Sequence, residues 1–183
     1  MMKNGFTFNS QHCSEFGVVM RSVNRMLLPR LQPRQVKIPG RHGIYDLGDH
    51  KYENRLLALD CFVQRQGLPE LRQLARELAH WLSVKARLVF DDEPDKYYLG
   101  RLYEQVDFEN ILGSGFFSLV FEVEPFAHGE SLTVSKTVTT ADKIELNYLG
   151  TAPAATTITI TNTGENTING FTLTYGRLND GSN

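Results

Sequence analysis

One segment of the chain has the spacing of an amphipathic helix. Its apolar positions recur at steps of three and four residues and comprise Leu68, Leu71, Leu74, Ala75, Leu78 and Leu82. Pro69 suits the first turn of a helix, because its φ is already fixed near the helical value. Trp81 lies beside the apolar stripe. The pattern predicts one helix that ends near Leu82, with Trp81 packed along it.

Strand patterns surround this helix. Arg55–Val63 is almost continuously apolar, which predicts a strand buried on both faces. Phe116–Val123 carries apolar residues at alternate positions, which predicts a strand with one buried face. Segments 86–90 and 97–103 flank the turn-rich acidic segment 91–95 and predict a hairpin. One helix among consecutive strands indicates an α+β to mainly β fold with a mostly antiparallel sheet.

The chain changes character near residue 129. The later part is rich in threonine, low in charge and without a helical pattern. Alternating Thr and Ile, Leu or Phe at 156–161 and 171–175 predicts strands, and Gly164 and Gly170 mark turns between them. We therefore predict two domains, 1–128 and 129–183.

Segment 24–49 has no regular pattern and contains several prolines and glycines. No acidic residue lies between Glu15 and Asp46, whereas the same stretch contains six cations: Arg21, Arg25, Arg30, Arg34, Lys37 and Arg41. A long irregular segment in a compact domain tends to be functional. Two interpretations stay open: a solvated loop, or an arm that docks on an acidic surface of a neighbouring subunit.

The overall charge narrows the class of protein. The 183 residues include 19 basic and 21 acidic side chains, which gives a formal net charge of −2. This balance argues against a generally basic nucleic-acid binder. Two cysteines, Cys13 and Cys61, argue against a disulfide-rich secreted scaffold. The sequence has no recognisable signal peptide and no apolar run long enough to span a membrane, so we expect a soluble protein made in the cytosol.

The sequence offers little catalytic chemistry. The five histidines are scattered, and His12 next to Cys13 is not completed into a zinc site. The acids of 91–95 lack the glycine and the final glutamate of a calcium loop, so a solvated turn is the favoured interpretation. No motif of a serine hydrolase, a phosphate-binding loop or a zinc protease occurs. We expect no enzyme activity, no cofactor and no metal.

Five features in order resemble one known family. They are the run Pro39–Gly40–Arg41–His42–Gly43, a helix ending in Trp81–Leu82, Asp91–Asp92 in a hairpin with Tyr97–Tyr98, the strand Phe117–Leu119–Phe121, and the ending Glu124–Pro125–Phe126. Together, over about residues 5–128, they resemble the distal tail proteins of phages with long non-contractile tails, especially those that infect Gram-positive hosts. Each feature alone is unspecific.

The resemblance implies a structural virion protein. It implies a tail-tube-like β-sandwich or split barrel with one helix, followed by a galectin-like sandwich that would be only partial after Gly129. The family forms a hexameric ring in the phage tail that joins the tail tube protein to the tail-tip hub and the host-adsorption apparatus, with receptor-binding proteins as further partners. Its belt-like loop embraces the next subunit. Here that loop corresponds to the candidate arm residues Arg30, Arg34, Lys37, Pro39, Gly40, Arg41 and Gly43.

Two other classes of function stay open. A carbohydrate- or receptor-binding β-sandwich module of a phage tail tip would show an exposed aromatic platform, to which Tyr97, Tyr98 and Tyr148 could contribute. An unrecognised enzyme would show a pocket with convergent titratable groups.

Overall fold

A computed structural model describes residues 5–48, 51–63, 68–106, 115–140 and 142–176. One helix, α1, spans Leu68–Leu82, and a short 3-10 helix spans Cys13–Phe16. The strands are β1 Phe6–Phe8, β2 Gln11–His12, β3 Val18–Asn24, β4 Leu31–Gln32, β5 Gln35–Val36, β6 Tyr45–Asp46, β7 Lys51–Tyr52, β8 Arg55–Val63, β9 Ala86–Phe90, β10 Glu93–Leu102 and β11 Phe116–Val123.

Seven strands form one antiparallel sheet in the order β2-β1-β9-β10-β11-β8-β3. The predicted hairpin is confirmed as β9–β10, although β10 begins at Glu93, so that only Asp91 and Asp92 form the turn. The remaining four strands make two small two-stranded sheets, β4–β7 and β5–β6. A mainly β fold with one helix is therefore confirmed.

The helix covers one face of the sheet. Leu71, Leu74, Leu78 and Leu82 are buried on it, as the spacing predicts. From the sheet, β11 contributes the alternate residues Phe117, Leu119, Phe121 and Val123 to the same core. Both the predicted helix and the predicted one-sided strand are confirmed.

The prediction of a doubly buried β8 is wrong. Leu57, Leu59, Cys61 and Val63 are buried, whereas Leu56 is 48% exposed and the other intervening residues are exposed or half-buried. The apolar run gave the wrong answer because no described layer covers the second face of the sheet. That uncovered face is called the open face below.

Trp81 connects the helix to the edge of the sheet. Its ring stacks on Phe6 and Phe16 with centroid distances of 5.7 and 4.5 Å. Its indole Nε1–H donates a buried hydrogen bond to the carbonyl oxygen of Phe8 at 2.8 Å. Since Phe8 belongs to the short strand β1, this one side chain holds the N-terminal strand and the helix in a single core.

The threonine-rich part differs from its prediction. Among the described residues from 129 to 176, none forms a strand, including 156–161 and 171–175. The apolar side chains there are exposed, with Ile158 at 47% and Phe171 at 68%. Isolated hairpins are marginal in water unless a sheet or a helix covers one face. The alternation of Thr with Ile, Leu or Phe was therefore not enough to specify a sheet in the described residues.

The chain divides into two compact units, Met1–Tyr148 and Leu149–Asn183. The domain boundary expected at 128/129 stays a prediction. No helix in the described parts of the chain is long and apolar enough to cross a membrane.

Replacing Trp81 with Phe tests the role of the indole. The Trp81→Phe variant keeps an aromatic ring but leaves the buried Phe8 carbonyl without its donor, so we expect about 1–3 kcal/mol of lost stability in urea unfolding. Tyr103→Phe, at a site 57% exposed, is the matched control and should change stability by less than about 0.5 kcal/mol. Equal unfolding midpoints for the two variants would contradict this role.

Candidate functional site

The described residues 30–48 and 51–53 form a β-arm of paired strands, whereas the sequence predicts an irregular segment here. In the half nearest the body, Leu31 pairs with Tyr52, and Glu53 N donates to Arg30 O at 2.9 Å. In the outer half, Val36 pairs with Tyr45, and residue 47 donates to residue 34 at 2.9 Å. The arm is therefore a two-stranded ribbon paired in two steps, with its turn at the end furthest from its base.

Two glycines shape the tip of the arm. Gly40 and Gly43 have φ values of +79° and +82°, in the left-handed region that other residues adopt only with strain. A Cβ built at either position meets no atom within 4 Å. Glycine is therefore favoured at both positions by the backbone conformation and not by a lack of room for a side chain. Pro39 lies directly before this turn.

The base of the arm is tied to the body. Arg25 Nη2 donates to Asp92 Oδ1 at 2.7 Å, and its guanidinium lies 4.0 Å from the centroid of the Phe90 ring. Tyr52 packs edge-on against Phe126 with a centroid distance of 5.3 Å. These contacts fix the direction in which the arm leaves the body. They also bind Arg25 within its own chain, so it is not available to a neighbour.

The predicted cations lie on the arm and have few acidic partners among the described residues. Arg30 Nε lies 3.7 Å from Glu53, a partner within the arm itself. Arg41 lies over the Tyr45 ring, 5.2 Å from its centroid. Within the described ranges, Arg34 and Lys37 take part in no ion pair. The arm therefore presents positive charge outward.

The apolar character of the arm escaped the sequence interpretation. Its large apolar side chains are each more than 40% exposed: Val36, Ile38, Ile44, Tyr45 and Leu47. Monomeric proteins rarely expose a contiguous apolar patch unless it is an interaction site. The alternation of Val36 and Ile38 was the available signal, but the intervening charges and prolines obscured it.

A polar cluster at the other edge of the sheet was also missed. His12 Nδ1 lies 2.6 Å from Ser14 Oγ and accepts from Ser14 N at 3.2 Å, so it caps the 3-10 helix. His12 Nε2 lies 3.2 Å from Asp91 Oδ1. A Cβ on Gly5 would come within 2.7 Å of both His12 and Asp91. The acidic turn is therefore tied to the body, not simply solvated, and a separation of 79 residues hid the pair from sequence reasoning.

The thiols have little nucleophilic character. Cys61 is 1% exposed, and burial raises its pKa to about 12. Burial likewise raises the pKa of Cys13, which is also 1% exposed. Neither forms a disulfide. Cys61 is a small core residue.

The other candidates from the sequence do not converge. Tyr98 is buried against Phe90, and Tyr97 stacks on His128 with a centroid distance of 5.2 Å. Tyr98 is therefore a core residue and contributes nothing to an exposed aromatic platform. Within the described residues, no three His, Cys, Asp or Glu side chains are grouped to hold a metal ion.

Comparison with known protein families shows to which family the chain belongs. Residues 11–123 match the model of the phage tail protein RIFT-related domain. The chain belongs to this family. The match covers the body and the arm together, so it confirms the resemblance to siphophage tail proteins drawn from the sequence.

The fold has a counterpart among solved structures. The crystal structure of the Dit protein (gp 19.1) of phage SPP1, a paradigm of the hub adsorption apparatus in phages that infect Gram-positive bacteria, superposes with a TM-score of 0.55 at 20% identity. The match covers 69% of this chain and 52% of the SPP1 protein. The chain thus spans about half the length of that relative, and the likeness shows a shared fold. No curated protein sequence matches significantly.

Thiol labelling tests the burial of the cysteines. Since both pKa values are raised and both side chains are buried, the folded chain should react with Ellman's reagent at pH 8 at well under a tenth of the rate of the urea-unfolded chain. Rapid reaction of either thiol in the folded protein would contradict the assignment of both to the core.

Proposed function

We propose that this phage tail protein forms a closed ring, a hexamer as in the family it resembles, in which the arm of each subunit binds the next. The observation that carries this proposal is the uncovered arm: its apolar side chains Val36, Ile38, Ile44, Tyr45 and Leu47 are each more than 40% exposed, and it also carries exposed cations. The outer half of this ribbon is paired only within itself among the described residues, and its apolar side chains stay exposed. A neighbour supplies the surface that covers it.

The geometry suits a head-to-tail interface. An arm on one side of the subunit and a receiving surface elsewhere make a heterologous contact, which closes into a ring when the rotation between subunits is right. An arm also enlarges the area buried per subunit beyond what compact bodies offer, although ordering it costs conformational entropy. The ladder of hydrogen bonds along the arm reduces that entropy, because the arm is already paired before it binds.

The ring would connect the tail tube to the tail-tip hub and the adsorption apparatus. The SPP1 Dit protein is a paradigm of such a hub adsorption apparatus. Support for the same position here comes from the shared fold and from the family match over residues 11–123. The role is mechanical and needs no catalytic residue, no cofactor and no nucleic acid. The protein would then work in the virion after synthesis in the host cytoplasm.

Charge reversal on the arm tests the ring. The double variant Arg34→Glu, Arg41→Glu should lower the solution mass from about six subunits towards one, because it removes two cations from the docking ribbon. Light scattering across protein concentration and salt measures this mass. Added salt should weaken the wild-type assembly as well.

A matched control uses two exposed arginines on the helix. The double variant Arg72→Glu, Arg76→Glu makes the same change of charge away from the arm and should keep the wild-type mass. Circular dichroism checks that both variants are folded. An intact ring in the arm variant, or equal loss in both variants, would overturn the role of the arm cations.

A further inference from the structure

The open face of the sheet carries an apolar row that crosses three strands. In the register of the sheet, Val19 pairs with Phe62, and Phe62 pairs with Phe116. All three lie on the face opposite the helix, since their strand neighbours are buried on the helix side. Val19 is 54% exposed and Phe116 is 44% exposed. The row lies at the start of β3, the edge strand of the sheet.

The carboxylate of Asp60, oriented by two hydrogen bonds, lies next to this row. Asp60 accepts hydrogen bonds from Ser22 Oγ at 2.6 Å and from Ser118 Oγ at 3.1 Å. These two donors hold the pKa of Asp60 below its usual range. The carboxylate is therefore ionised and fixed in orientation; the charge of Arg21 also lowers its pKa, but no ion pair to Asp60 forms among the described residues.

The surface between the row and the carboxylate is concave. A shallow cavity of about 560 Å³ is lined by Asp60, Ser22, Ser118, Phe116 and Arg21 together with two core residues. Arg21 lies over the Phe116 ring at 5.1 Å, at the position where β3 carries a register shift. The bulge moves Arg21 out of the ladder and leaves the concavity beside Asp60.

The outer half of the arm has the complementary pattern. Opposite residues of an antiparallel pair place their side chains on one face. Val36 and Tyr45 are such a pair. Arg34 and Leu47 are joined by a backbone hydrogen bond and lie two residues further along their strands, so they share the face of Val36 and Tyr45. The pair 35–46 presents polar side chains on the other face. One face of the arm thus combines three apolar residues with Arg34, and we call it the apolar arm face.

We propose that the apolar arm face of one copy docks on the open face of the next copy, with Val36, Tyr45 and Leu47 against the row of Val19, Phe62 and Phe116. In the same contact Arg34 pairs with Asp60. This inference rests on the proposed ring and specifies the receiving surface within it.

The observations favour a second copy of the chain as the partner of the open face, and Arg34 as the cation that pairs with Asp60. Arg34 has no ion-pair partner among the described residues of its own chain, whereas Arg41 already lies over the Tyr45 ring. The arm leaves the body after Asn24, at the end of β3 away from Val19, and its own apolar face stays exposed. One copy therefore exposes both complementary surfaces, as a head-to-tail contact requires.

Two variants that each destroy one side of the contact test it. Val19→Glu places a charge in the receiving row, and Val36→Glu places one in the apolar arm face. Each alone should reduce the assembly to monomers by light scattering. An equimolar mixture should form a complex of two subunits and no ring, because it contains one intact arm and one intact receiving face that can meet only once.

The control is Val84→Glu, the same change at a residue that is 41% exposed and lies outside both surfaces. It should keep the wild-type mass. A wild-type chain that is monomeric at every concentration would overturn the ring itself. A normal ring in Val19→Glu, or a mixture that stays monomeric, would leave the ring standing and overturn this docking surface.

Charge exchange tests the ion pair independently of folding defects in the apolar variants. Asp60→Arg and Arg34→Asp should each weaken assembly at least tenfold in subunit concentration. The chain with both changes should recover most of the lost affinity, since the pair is restored with reversed sign. Additive loss in the double variant would overturn the pairing of Arg34 with Asp60.

Discussion

The structure depends on the contact between Trp81 and the N-terminal strand. A sheet with only one covering helix needs that helix to hold both the central strands and the edge. Leucines of α1 cover the centre, while the indole reaches Phe6, Phe16 and the Phe8 carbonyl at the edge. This single side chain combines apolar burial with a satisfied donor. The core is therefore built on one face of the sheet, and no layer of the described residues in unit Met1–Tyr148 covers the opposite face.

The open face and the arm both expose apolar side chains. A monomeric domain of this size would normally cover both faces of its central sheet. Here the second face has an apolar row, a carboxylate oriented by two serines and a concavity, while the arm has apolar residues and cations. In the proposed ring, the two surfaces of neighbouring copies would bury this apolar area together.

The sequence predicted the periodic elements and missed the contacts between distant residues. Helix α1 and strand β11 were predictable because their apolar residues repeat at helical or alternating spacing over the whole element. Strand β8 was assigned two buried faces because periodicity cannot show which layers exist around a sheet. The arm ladder was missed because its strands are only two residues long and prolines interrupt them. His12 and Asp91 were missed because only the fold brings them together. The cations of the arm were predictable from composition, but their apolar companions were not.

The exposed tip of the arm also affects the lifetime of the subunit. Exposed loop tips are the preferred sites of proteolytic cleavage, and the turn at 37–44 of the arm is exposed throughout. A subunit that waits unassembled would be degraded from this point first. In the proposed ring the same bonds lie against a neighbour. Degradation would then remove subunits outside a ring, whereas subunits inside a ring would be protected.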